Sequence, residues 1–138
     1  MIESNNHAIR DMLDEYLAAF EELSVEKALP HYHTPMTLHL PGQFTTLSTK
    51  DDVRGFLHAQ FEQMKSQGYG SSKWAEIHIH ALHDDAAFVS TLVQRFDVDG
   101  NVIVASGSSY QLARIDGEWR VISLIAHDPS KIIQSSPL

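Results

Sequence analysis

The chain has 138 residues, ten basic against eighteen acidic, and a net charge of −8 with its nine histidines neutral; this is the length of one domain, and the charge repels nucleic acid and anionic membranes. It has no cysteine, which excludes a disulfide framework, a thiolate nucleophile and a cysteine-ligated metal. The opening Met1-Ile2-Glu3-Ser4-Asn5-Asn6 lacks the basic and apolar blocks of a secretory signal, and no apolar run approaches the roughly 18 residues of a membrane span, so a soluble, cytoplasmic protein is expected.

Ile9, Met12, Leu13, Tyr16, Leu17, Phe20 and Leu23 recur at steps of three and four, which predicts an amphipathic first helix. Ser24 can cap a short second helix through Ala28 and Leu29 that falters at Pro30. A strand near Met36 to Leu40 is closed by Pro41-Gly42, and a loop follows. Ser48 or Thr49 then caps a third helix with the stripe Val53, Phe56, Leu57, Phe61 and Met64, ended at Gly68. From Trp74 the period changes to two: Ala75, Ile77, Ile79 and Ala81 form an apolar face, and Trp74, Glu76, His78 and His80 the opposite one. Further strands run from Ala87 to Phe96, Val102 to Arg114 and Trp119 to Asp128, with hairpin signals at Asp99-Gly100 and Asp116-Gly117. Beyond Pro129 the tail is polar and expected to be loosely held. Helices that precede the strands, rather than alternating with them, predict an α+β fold with an antiparallel sheet.

The layout resembles the cone-shaped fold of the nuclear transport factor 2 superfamily, also called cystatin-like, which includes ketosteroid isomerase and the SnoaL-like polyketide cyclases. The resemblance spans about His7 to Asp128. It is carried by Glu15-Tyr16-Leu17-Ala18-Ala19, by Tyr32 and Pro41-Gly42 around the first strand, by Asp52-Val53-Arg54-Gly55-Phe56-Leu57, and by Gly117-Glu118-Trp119-Arg120-Val121-Ile122. It implies three helices packed on a strongly curved antiparallel sheet, with dimerisation through the sheet's outer face. Isomerase chemistry needs a carboxylate base and two acidic donors to an enolate oxygen. The similarity places Tyr16 at the oxyanion tyrosine, Leu40 at the base, and Ser109 or Gln111 near the second donor. Leucine accepts no proton, so steroid-type isomerisation is not expected.

The candidate catalytic residues are therefore Tyr16 as hydrogen-bond donor with His39, His127 or Asp128 as base. His39 faces out if Leu38 and Leu40 face in, unless a bulge near Pro41 reverses it. His127 and Asp128 are adjacent on a strand, so one at most lines the cavity, and an aspartate there would have a raised pKa. Tyr32, Leu40, Tyr110 and Gln111 are candidate pocket residues. Glu76, His78 and His80 share one strand face and could in principle hold a divalent metal, but a solvated or subunit-contacting face is the simpler reading, and no metal or cofactor is expected. His31 and His33 flank Tyr32 at the turn from helix to strand. Ser106, Ser108 and Ser109 are followed by no helix, which argues against a nucleophile elbow.

The leading expectation is a cofactor-free protein that binds a small organic molecule in an enclosed apolar pocket, with acid/base isomerisation, cyclisation or dehydration as its chemistry. The alternative is a non-catalytic dimeric association or regulatory module that fills the cone with Phe20, Phe56, Phe61 and Phe88. In either case a homodimer through the outer sheet face is expected.

Overall fold

The computed structural model describes residues 2–134, with side chains from residue 5 onward. Helix α1 (Ile2–Glu21) turns Ile9, Leu13, Tyr16 and Phe20 inward, as their spacing requires. It stops short of Leu23, whose φ of 52° is left-handed. Ser24 then accepts the Lys27 amide at 3.2 Å and starts α2 (Val25–Ala28), and Pro30 is absorbed in a 3-10 turn, Leu29–His31. Thr49, not Ser48, caps α3 (Lys50–Ser66). Its hydroxyl accepts the Asp52 amide at 3.1 Å while the Asp52 carboxylate accepts the Thr49 amide, also at 3.1 Å. Such a box satisfies two amides that the helix start would leave open.

Six strands follow or interleave these helices: β1 (Tyr32–Leu40), β2 (Gln43–Leu47), β3 (Tyr69–His83), β4 (Ala86–Asp97), β5 (Val102–Ile115) and β6 (Glu118–His127). Their order in the sheet is β2-β1-β6-β5-β4-β3. The meander starts at the far edge and works back, so β6 reaches β1 last. That pair is parallel, whereas the other four pairings are antiparallel as expected. The segment expected to be a loop after Pro41-Gly42 is β2, an edge strand with only Leu47 buried, too short for its alternation to be read. The helices cover one face of the sheet and make a cone. Its core includes Ile9, Leu13, Met36, Leu57, Met64, Val89, Leu112 and Val121, all under 2% exposed. Each such side chain contributes about 1.5–3 kcal/mol relative to exposure.

Two irregularities decide what faces the inside. In β3, Trp74 pairs with Val93 and Glu76 with Leu92, so Ala75 is an extra residue and the strand's parity flips. Trp74 therefore points into the cone, where its Nε1 donates to the Leu13 carbonyl at 3.2 Å. This corrects the expected outward row: Glu76, His78 and His80 stay outside, Trp74 leaves them, and Ala75 is exposed. The second irregularity is the tail. After a 3-10 turn at Pro129–Lys131, the Ile133 amide donates to Ser90 Oγ at 2.9 Å, and the Ile133 carbonyl lies 3.4 Å from His80 Nε2. The chain thus straps back over the outer face instead of hanging free, and its last residues, 135–138, lie outside the described ones. Among the described residues no helix is long and apolar enough to cross a membrane.

Candidate functional site

A cavity of about 50 Å³ remains inside the cone between α1, α3 and the sheet. Leu17, Phe20, Trp74, Val93 and Leu124 supply its apolar wall, and Tyr16, Gln60, Ser72, Arg95, Ser108 and Tyr110 its polar groups. Tyr16 arrives there because it belongs to the inward stripe of α1, and Tyr110 because it alternates with the outward Ser109 and Gln111 on β5. Behind Tyr16, its hydroxyl and that of Tyr32 share a hydrogen bond of 2.5 Å. The Tyr16 and Tyr110 rings meet edge-on with centroids 6.0 Å apart. Burial pushes all three phenols above the usual tyrosine range, and their mutual proximity adds to the rise at Tyr16 and Tyr110. Each phenol stays protonated at neutral pH, so the cluster donates hydrogen bonds and offers no base.

A second cavity of about 240 Å³ adjoins this one, lined by Leu40, Phe56, Ala59, Gln60 and Gln63. Gln60 lines both and is the side chain they share.

Of the residues singled out from the sequence, Tyr16 and Tyr110 line the inner cavity, Leu40 lines the outer one, and Tyr32 stands behind Tyr16. Gln111 does not: it is one step from Tyr110 on an extended strand and is exposed on the opposite face. His39 is also exposed. The β1–β2 register runs without a slip from Met36 to Leu40, so no bulge reverses it, and its ring packs edge-on against Phe44 at 5.5 Å. Asp128 lies past the end of β6 and caps the following turn, accepting the Ser130 hydroxyl at 2.6 Å and the Ser130 amide at 2.7 Å. These bonds hold its carboxyl below the usual range, opposite to the raised value that a cavity carboxyl would need. His31 sits in the 3-10 turn, where burial lowers its pKa, and the His33 ring stays 3.3 Å from the Pro35 carbonyl.

His127 faces outward opposite Gly107 and ends a hydrogen-bonded chain. Its Nε2 is 2.7 Å from Ser109 Oγ, which is 3.0 Å from Ser90 Oγ, which accepts the Ile133 amide. Its Nδ1 lies 2.9 Å from the Asp128 carbonyl. One arrangement satisfies every contact: Ile133 N–H to Ser90, Ser90 O–H to Ser109, Ser109 O–H to Nε2, and Nδ1–H to the carbonyl. This explains how two outward-facing serines come to be buried, Ser90 fully and Ser109 at 5% exposure. The Glu76 carboxylate is spent on His78 Nε2 at 3.1 Å, and among the described residues no three histidine, aspartate or glutamate side chains are grouped to hold a metal.

Sequence reasoning missed Arg95, Trp74, Ser72 and Gln60. Arg95 was within reach, because Val89, Thr91, Val93 and Arg95 share the inward parity of β4, and an arginine at an inward position is itself a signal. Trp74 was not, since nothing at Ala75 marks a bulge.

A model of the family described as NTF2-like protein (DUF6841) matches residues 4–129. Among solved structures, an NTF2-like protein with a cystatin-like fold from Novosphingobium aromaticivorans superposes with a TM-score of 0.75 at 13% identity, covering 99% of this chain and 86% of its own. An NTF-2 like protein of unknown function from Shewanella oneidensis MR-1 gives 0.73 at 17%, covering 90% and 99%. A ketosteroid isomerase-like protein from Erwinia carotovora atroseptica gives 0.64 at 20%, covering 87% and 92%. At these identities the likeness establishes the fold alone. No curated protein matches the chain. The α+β cone and the family match over almost its whole length agree: the chain belongs to the NTF2-like family DUF6841.

Proposed function

We propose that this protein binds a compact organic molecule in the inner cavity, with Tyr16 and Tyr110 donating hydrogen bonds to one of its oxygens. The observation that carries this reading is a pair of protonated phenols, hydrogen-bonded to each other, on the wall of a partly open cavity whose other walls are largely apolar. Such a combination of apolar wall and few convergent donors is the usual form of a ligand site. Size limits the ligand. A cavity of about 50 Å³ is well below the ~150 Å³ that holds benzene, so even a ligand of about five or six heavy atoms extends past Gln60 into the neighbouring cavity, and a steroid or polyketide does not fit the inner cavity alone.

Among the described residues no histidine or carboxylate lines the inner cavity. Isomerisation, cyclisation or dehydration in this site would therefore rest on stabilising negative charge as it develops on the ligand oxygen, with water or the substrate itself as proton acceptor. Binding is the reading favoured here, and chemistry of that restricted kind is its extension. Titration with 2-butanone and crotonamide, followed by ligand-observed NMR, tests it. The expected result is millimolar or tighter binding that weakens about fivefold in Tyr16→Phe, the worth of one neutral hydrogen bond. Binding unaffected by the substitution would remove Tyr16 from the site.

A twofold dimer through the outer sheet face is kept as a proposal, with the tail strap as part of the contact. Sedimentation equilibrium at micromolar concentration should give twice the chain mass; a strict monomer ends it.

A further inference from the structure

The chain has five arginines, and four of them are ion-paired on the surface: Arg10 with Asp14, Arg54 with Glu26 and Asp51, Arg114 with Asp85, and Arg120 with Glu118. Arg95 is the exception. Among the described residues its guanidinium has no carboxylate within ion-pair distance and no hydrogen-bond partner, in a chain with eighteen acidic side chains to offer. It is also the one cation among the residues lining the inner cavity. The nearest element, β3, places Ser72 opposite it, and Ser72 brings in Glu21, which accepts the Ser72 amide at 3.1 Å. That acid stays at the rim, exposed, and does not close on Arg95.

The charge of Arg95 reaches the tyrosine cluster, where it favours the ionised form of Tyr16, Tyr32 and Tyr110 against the opposing effect of burial. Only partly exposed and unpaired, a guanidinium loses hydration without compensation, and proteins ordinarily pair or expose such a group. Its planar fork of donors matches a carboxylate, and Tyr16, Ser72, Ser108 and Tyr110 line the same cavity.

We propose that the inner cavity selects a compact monocarboxylate, its anion paired with the Arg95 guanidinium and its apolar part against Phe20, Trp74 and Leu124. The proposal rests on the reading of this cavity as the ligand site. One cation in a space of this size suits a single negative charge, whereas a phosphate dianion would call for further cations or a helix start aimed at it, and the cavity lining supplies neither.

The test compares isosteric acid and amide probes, crotonate with crotonamide and butanoate with butanamide, by titration calorimetry on the untagged full chain. The wild type should bind each acid at least tenfold tighter than its amide, and raising NaCl from about 50 to 500 mM should weaken the acid alone, as screening requires. In Arg95→Met the acid should lose its advantage over the amide; Arg95→Lys should keep part of it. Equal binding of acid and amide by the wild type overturns the inference and leaves the cavity a ligand site, as does a preference that survives Arg95→Met in a protein with native circular dichroism. Competition by inorganic phosphate at equal concentration overturns the carboxylate class. If neither acids, amides nor 2-butanone bind, the ligand-site reading fails with it. The wild-type comparison and its salt series need no variant to fold.

Discussion

Ser109 and Tyr110 are neighbours on β5 and face opposite sides of one sheet, yet their polar surroundings differ in kind. On the outer face, His127, Ser109, Ser90 and the Ile133 amide form a chain in which each donor has an acceptor, closed at the far end by the Asp128 carbonyl. On the inner face, Tyr110, Tyr16 and Tyr32 are hydrogen-bonded to one another, but they border a space beside Arg95, whose donors are unspent among the described residues. A satisfied network holds structure together; one with open donors is suited to holding something else. Histidine and serine within hydrogen-bond reach look like chemistry when read in isolation, and here they fasten a tail.

This contrast predicts that outer-face substitutions change stability and spare binding, whereas inner-face substitutions weaken binding. The largest effect is expected at Gly107. A Cβ there would lie 2.5 Å from the His127 ring and 2.9 Å from its backbone carbonyl, so Gly107→Ala should cost about 2–3 kcal/mol in urea unfolding while leaving ligand affinity unchanged. Ser109→Ala comes next, because it strands Ser90 and His127 under the strap. A loss of about 1–2 kcal/mol is expected, together with faster amide exchange at Ile133. On the inner face, Tyr16→Phe should cost about 1–2 kcal/mol, because it strands the buried Tyr32 hydroxyl, and unlike the outer-face substitutions it should also weaken binding; intact binding would invert the comparison.

The smallest effects are those of pH. Unfolded tyrosines ionise near 10, whereas the buried phenols remain protonated above that value. Between the two, the native state binds more protons, so this contribution is present below about pH 10 and lost as pH rises beyond it. His31 acts at the other end. Burial lowers its pKa, partly offset by Glu15 and Glu118, so below about pH 6.5 the unfolded chain binds the extra proton and stability falls with acidification. Urea midpoints between pH 4.5 and 7 should flatten in His31→Gln, and those above pH 9 in Tyr16→Phe.

Much of the fold was legible because it rests on local periodicity. The three-four stripe of α1 placed Tyr16 inside, Ser48 or Thr49 marked the start of α3, and alternation on β1 turned His39 outward, while the adjacent Tyr110 and Gln111 on β5 were both expected in the pocket and only Tyr110 lines it. The Asp116-Gly117 hairpin followed from residue type, since both residues take positive φ, 53° and 81°. The site was less legible, because parity carries only to the next bulge. A bulge considered at Pro41 is absent, while the one at Ala75, unmarked by any glycine or proline, turned Trp74 from an expected surface residue into a cavity wall.

The sequence by itself determined the helices, most of the strands and the inward position of Tyr16, because each depends on contacts between residues a few positions apart, whereas the cone was implied by the resemblance to a known family. Tertiary structure alone decided the parallel pairing of β6 with β1, the strap of Ile133 across Ser90, and the isolation of Arg95 from the carboxylates of the described residues. These depend on which distant segments meet. No local pattern encodes the absence of a partner, because a guanidinium is left open only when the whole chain has folded and no acid has reached it.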